Sequence, residues 1–150
     1  MTWNVRIGIN PLSWMNDDLP SLGGETLLET ALQEGKEIGY AGFELGNKFP
    51  KDGLGLKAKL DQFGLACVSG WYSGELARGS VDDEKARCHA HLDKLRFNGC
   101  KVVVYGEVAD SIQGQIETPL DRRPRFATDA QWQAYAHRLD AFGAHLQSSY

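Results

Sequence analysis

The sequence predicts an α/β protein built from (β/α) repeats on parallel strands, and two observations carry that expectation. Helix-compatible sequence stops at a glycine three times, at Gly39, Gly64 and Gly99. Each glycine is followed by a short apolar run: Ala41-Gly42-Phe43-Glu44-Leu45, Leu65-Ala66-Cys67-Val68-Ser69 and Cys100-Lys101-Val102-Val103-Val104-Tyr105. A helix-stop glycine feeding a buried strand is what a covered parallel sheet requires. Such folds place their chemistry just past the carboxyl ends of the strands. Candidate side chains are therefore sought there.

The first strand is expected over residues 5–9, stopped by Asn10-Pro11 because proline cannot continue a ladder. A long polar loop follows, over residues 13–20. The first helix is expected over 25–38, with Leu27, Leu28, Ala31 and Leu32 on one face. The second strand covers 42–45, and a loop then carries Gly46-Asn47-Lys48-Phe49-Pro50. The second helix is expected over 56–62, with Leu56, Leu60 and Phe63 inward. The third strand, 65–69, delivers Gly70-Trp71-Tyr72-Ser73. Ser80 can cap a third helix, with Asp83 favoured by the helix dipole; Cys88, Leu92 and Leu95 would line its buried face. The fourth strand is expected over 102–105, ending at Gly106-Glu107. After a second long loop, over 108–127, Thr128 and Gln131 fit a capping box. Trp132, Tyr135, Ala136, Leu139, Phe142 and Leu146 then recur at helical spacing.

Four strands and four helices are half of what a closed (β/α)8 barrel of about 250 residues contains. A doubly wound sheet could manage with four strands, but the first βα loop has no glycine-rich phosphate fingerprint. Half a barrel is the better reading: residues 1–150 as the amino-terminal half of one barrel domain, truncated before a fifth strand.

Composition excludes several classes. The 150 residues carry 16 basic against 20 acidic side chains, a net charge of −4, so there is no basic footprint for nucleic acid. No apolar run is long enough to span a bilayer, and no secretory signal is visible at the amino terminus. Three cysteines without paired short spacing read as reduced thiols of a cytoplasmic protein. The open edges of a half-sheet would favour self-association.

The polar residues beyond the strands are Asn10, Asn16 and Asp17; then Glu44, Asn47 and Lys48; then Trp71 and Tyr72; then Glu107, Ser111 and Gln113. Glu44, Lys48 and Glu107 can exchange protons. Asn, Ser and Gln suit the hydroxyls of a polyol, and Trp71 or Trp14 offers an apolar face to a sugar ring. Each has a structural alternative: Lys48 as a solvated lysine, Glu107 as a turn cap, Asn16 and Asp17 as turn formers before Pro20, Trp14 and Trp71 as core. The histidines lack strand-end partners, and no spacing makes a metal set.

Taken together, Trp14-Met15-Asn16-Asp17-Asp18-Leu19-Pro20, Gly23-Gly24-Glu25, Glu44-Leu45-Gly46-Asn47-Lys48-Phe49-Pro50 and Ser111-Ile112-Gln113-Gly114 resemble the inosose dehydratases. These are 2-keto-myo-inositol dehydratases of inositol catabolism, within the xylose-isomerase-like TIM barrels. The resemblance implies a hydro-lyase acting on a small polyol ketone, with cobalt or manganese and with glutathione. It places Glu44, Lys48 and Glu107 as catalytic candidates and Trp14, Asn16, Asn47, Trp71 and Gln113 around the substrate. Metal ligands are expected from strands beyond the fourth, so the 150 residues alone are expected to be inactive. A related sugar isomerase or epimerase, and a non-catalytic self-associating half-barrel, are the alternatives.

Overall fold

The computed structural model describes residues 4–150. Its elements follow the expected alternation. In order they are β1 (Gly8–Ile9), α1 (Leu28–Ile38), β2 (Gly42–Leu45), α2 (Gly53–Phe63), β3 (Ala66–Gly74), α3 (Val81–Phe97), β4 (Val103–Glu107) and α4 (Asp129–Ser149). Short 3-10 turns cover Pro11–Ser13 and Leu120–Arg122. The strands form one sheet in the order β1-β2-β3-β4. β1 pairs with β2, and β2 with β3, in parallel. The fold is therefore α/β, with a helix after each strand: four of the eight units of a barrel.

All three helix-stop glycines are left-handed, with φ of 101° at Gly39, 63° at Gly64 and 68° at Gly99. A side chain resists that conformation, and glycine does not. At Gly39 and Gly64 the turned backbone N–H closes the last carbonyls of α1 and α2. α2 starts three residues earlier than the apolar stripe indicates because Asp52 accepts from Gly55 N and caps it. α1 starts later than expected. Leu27 is an extended, exposed N-cap and not part of the buried face. The Ser80 cap of α3 and the Thr128–Gln131 box of α4 form as expected.

Three strands differ from expectation. β4 is shifted to Val103–Glu107, so Glu107 is a strand residue. β1 is only Gly8–Ile9; among the described residues its first link to β2 is Ala41 N donating to the Ile7 carbonyl, so residues 4–6 lie ahead of the ladder. β3 runs on to Gly74, whose carbonyl accepts from Val108 N beyond β4. Trp71, Tyr72 and Ser73 are therefore strand residues and not loop residues.

The chain divides into two compact units: residues up to Trp71 with His91–Val104, and Tyr72–Ala90 with Tyr105–Tyr150. The core of the first packs Leu28, Ala31 and Leu32 of α1 and Leu56 and Leu60 of α2 against Phe43 and Leu45. Gly35 of α1 sits on the Phe43 ring so closely that a Cβ there would lie 2.4 Å from Cζ. In the second unit Leu76, Cys88 and Phe142 are buried, and Tyr105 packs its ring on Phe142 at 5.9 Å. Only Phe142 of the α4 apolar series is fully buried; Trp132 is exposed and stacks edge-on against Phe126.

Candidate functional site

The alternation of β2 separates its side chains. Phe43 and Leu45 enter the helix-side core, so Glu44 projects from the opposite face. A register shift between Phe43 and Glu44 sets Glu44 across from Ser69 of β3. Ser69 Oγ donates to Glu44 Oε2 at 2.5 Å, and Asn10 Nδ2, directly after β1, donates to Oε1 at 2.7 Å. Three successive parallel strands thus contribute one polar cluster. Glu44 is half-buried, and among the described residues no ion pair involves it. Each carboxylate oxygen makes one neutral hydrogen bond and keeps further acceptor capacity. Such a group can take a proton from a bound molecule.

The first two loops are tied to each other. Asp17 Oδ2 accepts from Asn47 N at 2.9 Å. Asn16 Oδ1 accepts from Asp18 N and Leu19 N, which makes Asn16 a turn former. Asn47 is exposed, and its carbonyl accepts from Lys51. Lys48 directs its ammonium at the carbonyls of Gly24 and Thr26, each at 2.6 Å, and of Gly23 at 3.4 Å. All three of its N–H donors are therefore engaged in holding the entry to α1. Trp14 turns to the helix side: its Nε1 donates to Glu34 at 2.6 Å and its ring lies 5.6 Å from Phe43. The core reading of Trp14 fits this placement. The face of β2 that carries Glu44 is the other one.

In the second unit Glu107 is the last residue of β4. Its Oε2 accepts from Ala77 N at 2.9 Å and from the Tyr105 hydroxyl at 3.0 Å, and its Oε1 from Ala109 N at 2.9 Å. Burial first, then the nearby carboxylates, push the phenols of Tyr105 and Tyr135 up. Arg138 of α4 bonds the Leu76 and Ala77 carbonyls, so the turn after β3 is held from both sides. This is the turn-capping arrangement, and three donors leave Glu107 little acceptor capacity. Gln113 lies exposed in the long loop, its N donating to Ser111 Oγ at 3.1 Å. Trp71 is 53% exposed on β3.

Sequence reasoning missed Glu84. It is fully buried in α3, where Oε1 accepts from Tyr72 at 2.5 Å and Oε2 from Glu75 N at 2.8 Å and from Arg87 at 2.7 Å. Arg87 also pairs with Glu75. The available signal was spacing: Glu84 stands four residues before Cys88 on the buried stripe of its helix.

Among the described residues no three His, Cys, Asp or Glu side chains converge as metal ligands. The described residues of this chain do not fit the cobalt or manganese implied by the resemblance. An open groove of about 420 Å³ is lined by Glu25, Glu29, Lys48 and Lys59 among others, but not by Asn10, Glu44 or Ser69. No described helix is long and apolar enough to cross a membrane.

Comparison with known proteins adds to this geometry. No family model matches the chain. The rhizopine catabolism protein MocC of Rhizobium meliloti is 42% identical over 136 residues, covering 91% of this chain and 42% of MocC. The inosose dehydratase of Geobacillus thermodenitrificans is 41% identical over 140 residues, 93% of this chain and 47% of that enzyme. That of Clostridium botulinum is 40% identical over 139 residues, again 93% and 47%. Among solved structures, apo 3-keto-D-glucoside 4-epimerase YcjR of Escherichia coli superposes with a TM-score of 0.54 at 16% identity. The match covers 96% of this chain and 54% of that one.

The fold is thus that of the xylose-isomerase-like (β/α) barrels, represented by four of their repeats. Within that class the chain is a homologue of the inosose dehydratases and MocC, and it spans about half the length of these curated relatives.

Proposed function

We propose that this chain supplies the amino-terminal half of an inosose dehydratase site, with Glu44 as the group that removes a proton beside the ketone of 2-keto-myo-inositol. One observation carries the reading: a half-barrel homologous to these enzymes presents a half-buried carboxylate at the end of β2, without an ion-pair partner among the described residues and braced by Asn10 and Ser69. The C–H proton passes to Glu44, the electrons form an enolate, and the adjacent C–O bond breaks with hydroxide leaving as water. The dione product keeps three hydroxyls. Trp71 on β3, with Asn47, would meet the ring and its hydroxyls. Glu107 and Lys48 then serve as supports, because their hydrogen bonds hold the backbone of the neighbouring loops. The acid for the leaving group, the divalent cation and glutathione would be met by residues outside this half. The 150 residues alone would lack turnover, in the cytoplasm where inositol-type catabolism runs.

MocC favours a second reading, in which the dehydrated substrate belongs to rhizopine catabolism. A chimera tests both. This chain replaces the matching half of the Geobacillus thermodenitrificans enzyme, and dehydration of inosose is followed with cobalt or manganese added. The expected result is turnover by the chimera and none by the chain alone. Glu44→Gln should lower kcat by roughly 10²–10⁴. A folded chimera that leaves inosose untouched, or one indifferent to Glu44→Gln, overturns the reading.

A further inference from the structure

We propose that Asn10 is the positioning residue of Glu44: locked by the turn that follows β1, its side-chain amide presents a donor, and never an acceptor, to Oε1, an assignment that rests on Glu44 being the base. Asn10 caps the turn Pro11–Ser13, and its Oδ1 accepts from Leu12 N at 2.9 Å. That bond fixes which way the amide faces. With its oxygen committed to Leu12, the amide turns its nitrogen to Glu44, and Nδ2 donates to Oε1 at 2.7 Å. The carboxylate requires the same orientation, since it can only accept.

The two neighbours of Glu44 then differ in what they allow. The Asn10 nitrogen can donate but not accept, and its bond is the stronger while Glu44 is ionised. Ser69 is buried on β3; its hydroxyl donates to Oε2 at 2.5 Å and can turn to accept. When the substrate loses its proton, the C–H bond breaks, its electron pair stays behind as the enolate, and an O–H bond forms on Glu44. The hydroxyl of that acid belongs on Oε2, against a group able to accept. Its carbonyl belongs on Oε1, against a group able only to donate.

The charged groups of the flanking loops are engaged elsewhere. Asp17 accepts from Asn47 N, and Lys48 donates to the Gly23, Gly24 and Thr26 carbonyls. α1 and α2 pack on the other face of β2, against Phe43 and Leu45. Glu44 is therefore met by two neutral groups, one from each neighbouring strand.

Asn10→Asp separates the two bonds of the residue. Asp caps a turn as well as Asn does, so Leu12 N keeps its acceptor, but Oε1 then faces a second carboxylate. Two carboxylates in contact hold a proton to higher pH. In the chain labelled with 13C at its glutamate carboxyls, the Glu44 signal should titrate about one pH unit or more higher in Asn10→Asp than in wild type. In the chimera the acid limb of kcat/KM should move the same way. The Asn10 side-chain amide protons of the wild-type chain should titrate with the Glu44 carboxyl and lose that titration in Glu44→Gln, a measurement that needs no Asn10 variant to fold. Amide protons indifferent to Glu44, or a Glu44 titration unmoved in folded Asn10→Asp, overturn the proposal, and turnover still sensitive to Glu44→Gln then leaves the base standing. Coupled titrations beside a chimera indifferent to Glu44→Gln overturn the base instead, and the part of Asn10 in the reaction with it.

Discussion

Two glycine-to-alanine changes should move stability in opposite directions, and the structure sets both signs. Gly35 and Gly143 each lie inside a helix, where alanine is favoured over glycine by about 1 kcal/mol. Around Gly143 an added Cβ meets nothing within 4 Å. Gly143→Ala should therefore stabilise by about 0.5–1 kcal/mol. At Gly35 the same Cβ would come 2.4 Å from Phe43 Cζ and 2.5 Å from Cε2. The Phe43 ring is fully buried and confined by Trp14 at 5.6 Å and Phe49 at 6.3 Å, so it has little room to yield. Overpacking of this kind costs about 1–3 kcal/mol. With ring atoms at 2.4 and 2.5 Å the clash belongs to the upper part of that range, about 2–3 kcal/mol, so it outweighs the propensity gain and a net loss of about 1–2 kcal/mol is expected. Thermal unfolding followed by circular dichroism would show a midpoint lowered by roughly 3–8 °C for Gly35→Ala and slightly raised for Gly143→Ala. A Gly35→Ala chain as stable as wild type would refute the close packing of α1 on β2.

Glu84→Ala should destabilise by about 3–5 kcal/mol in urea titration, because the Tyr72 hydroxyl and Glu75 N–H lose their buried acceptor. Glu84→Gln, which keeps an acceptor oxygen, should cost less than half as much. Iodoacetamide should modify Cys100 at a pH below that of an ordinary thiol, with the rate rising as the thiolate forms, while Cys88 stays unmodified until the chain unfolds. His91 has its pKa lowered from the usual 6.5, by burial first and then by the Lys94 charge. The unfolded chain therefore binds the proton more readily. That contribution to stability is complete above about pH 6.5 and is lost as pH falls toward the folded value. Comparing urea midpoints of wild type and His91→Gln between neutral and mildly acidic pH checks this, the variant giving the flatter profile.

What the sequence determined by itself is the set of features that depend on near neighbours. Gly39, Gly64 and Gly99 stop helices because a left-handed residue is a local requirement, and Thr128 with Gln131 caps α4 within one turn. Strand order follows from short αβ connections, and the Glu44 position follows from two-residue alternation between Phe43 and Leu45. Likeness of the loops to a family was legible for the same reason: those residues are contiguous. Only the tertiary structure decided what each polar group touches. Trp14 found Glu34, Lys48 found three carbonyls ahead of α1, Glu107 found the turn after β3, and Glu84 became a buried acceptor. β1 shrank and β3 lengthened because a strand lasts as long as its neighbour offers partners. Hydrogen bonds between residues tens of positions apart leave no periodic trace along a chain, whereas helix stops and face alternation do.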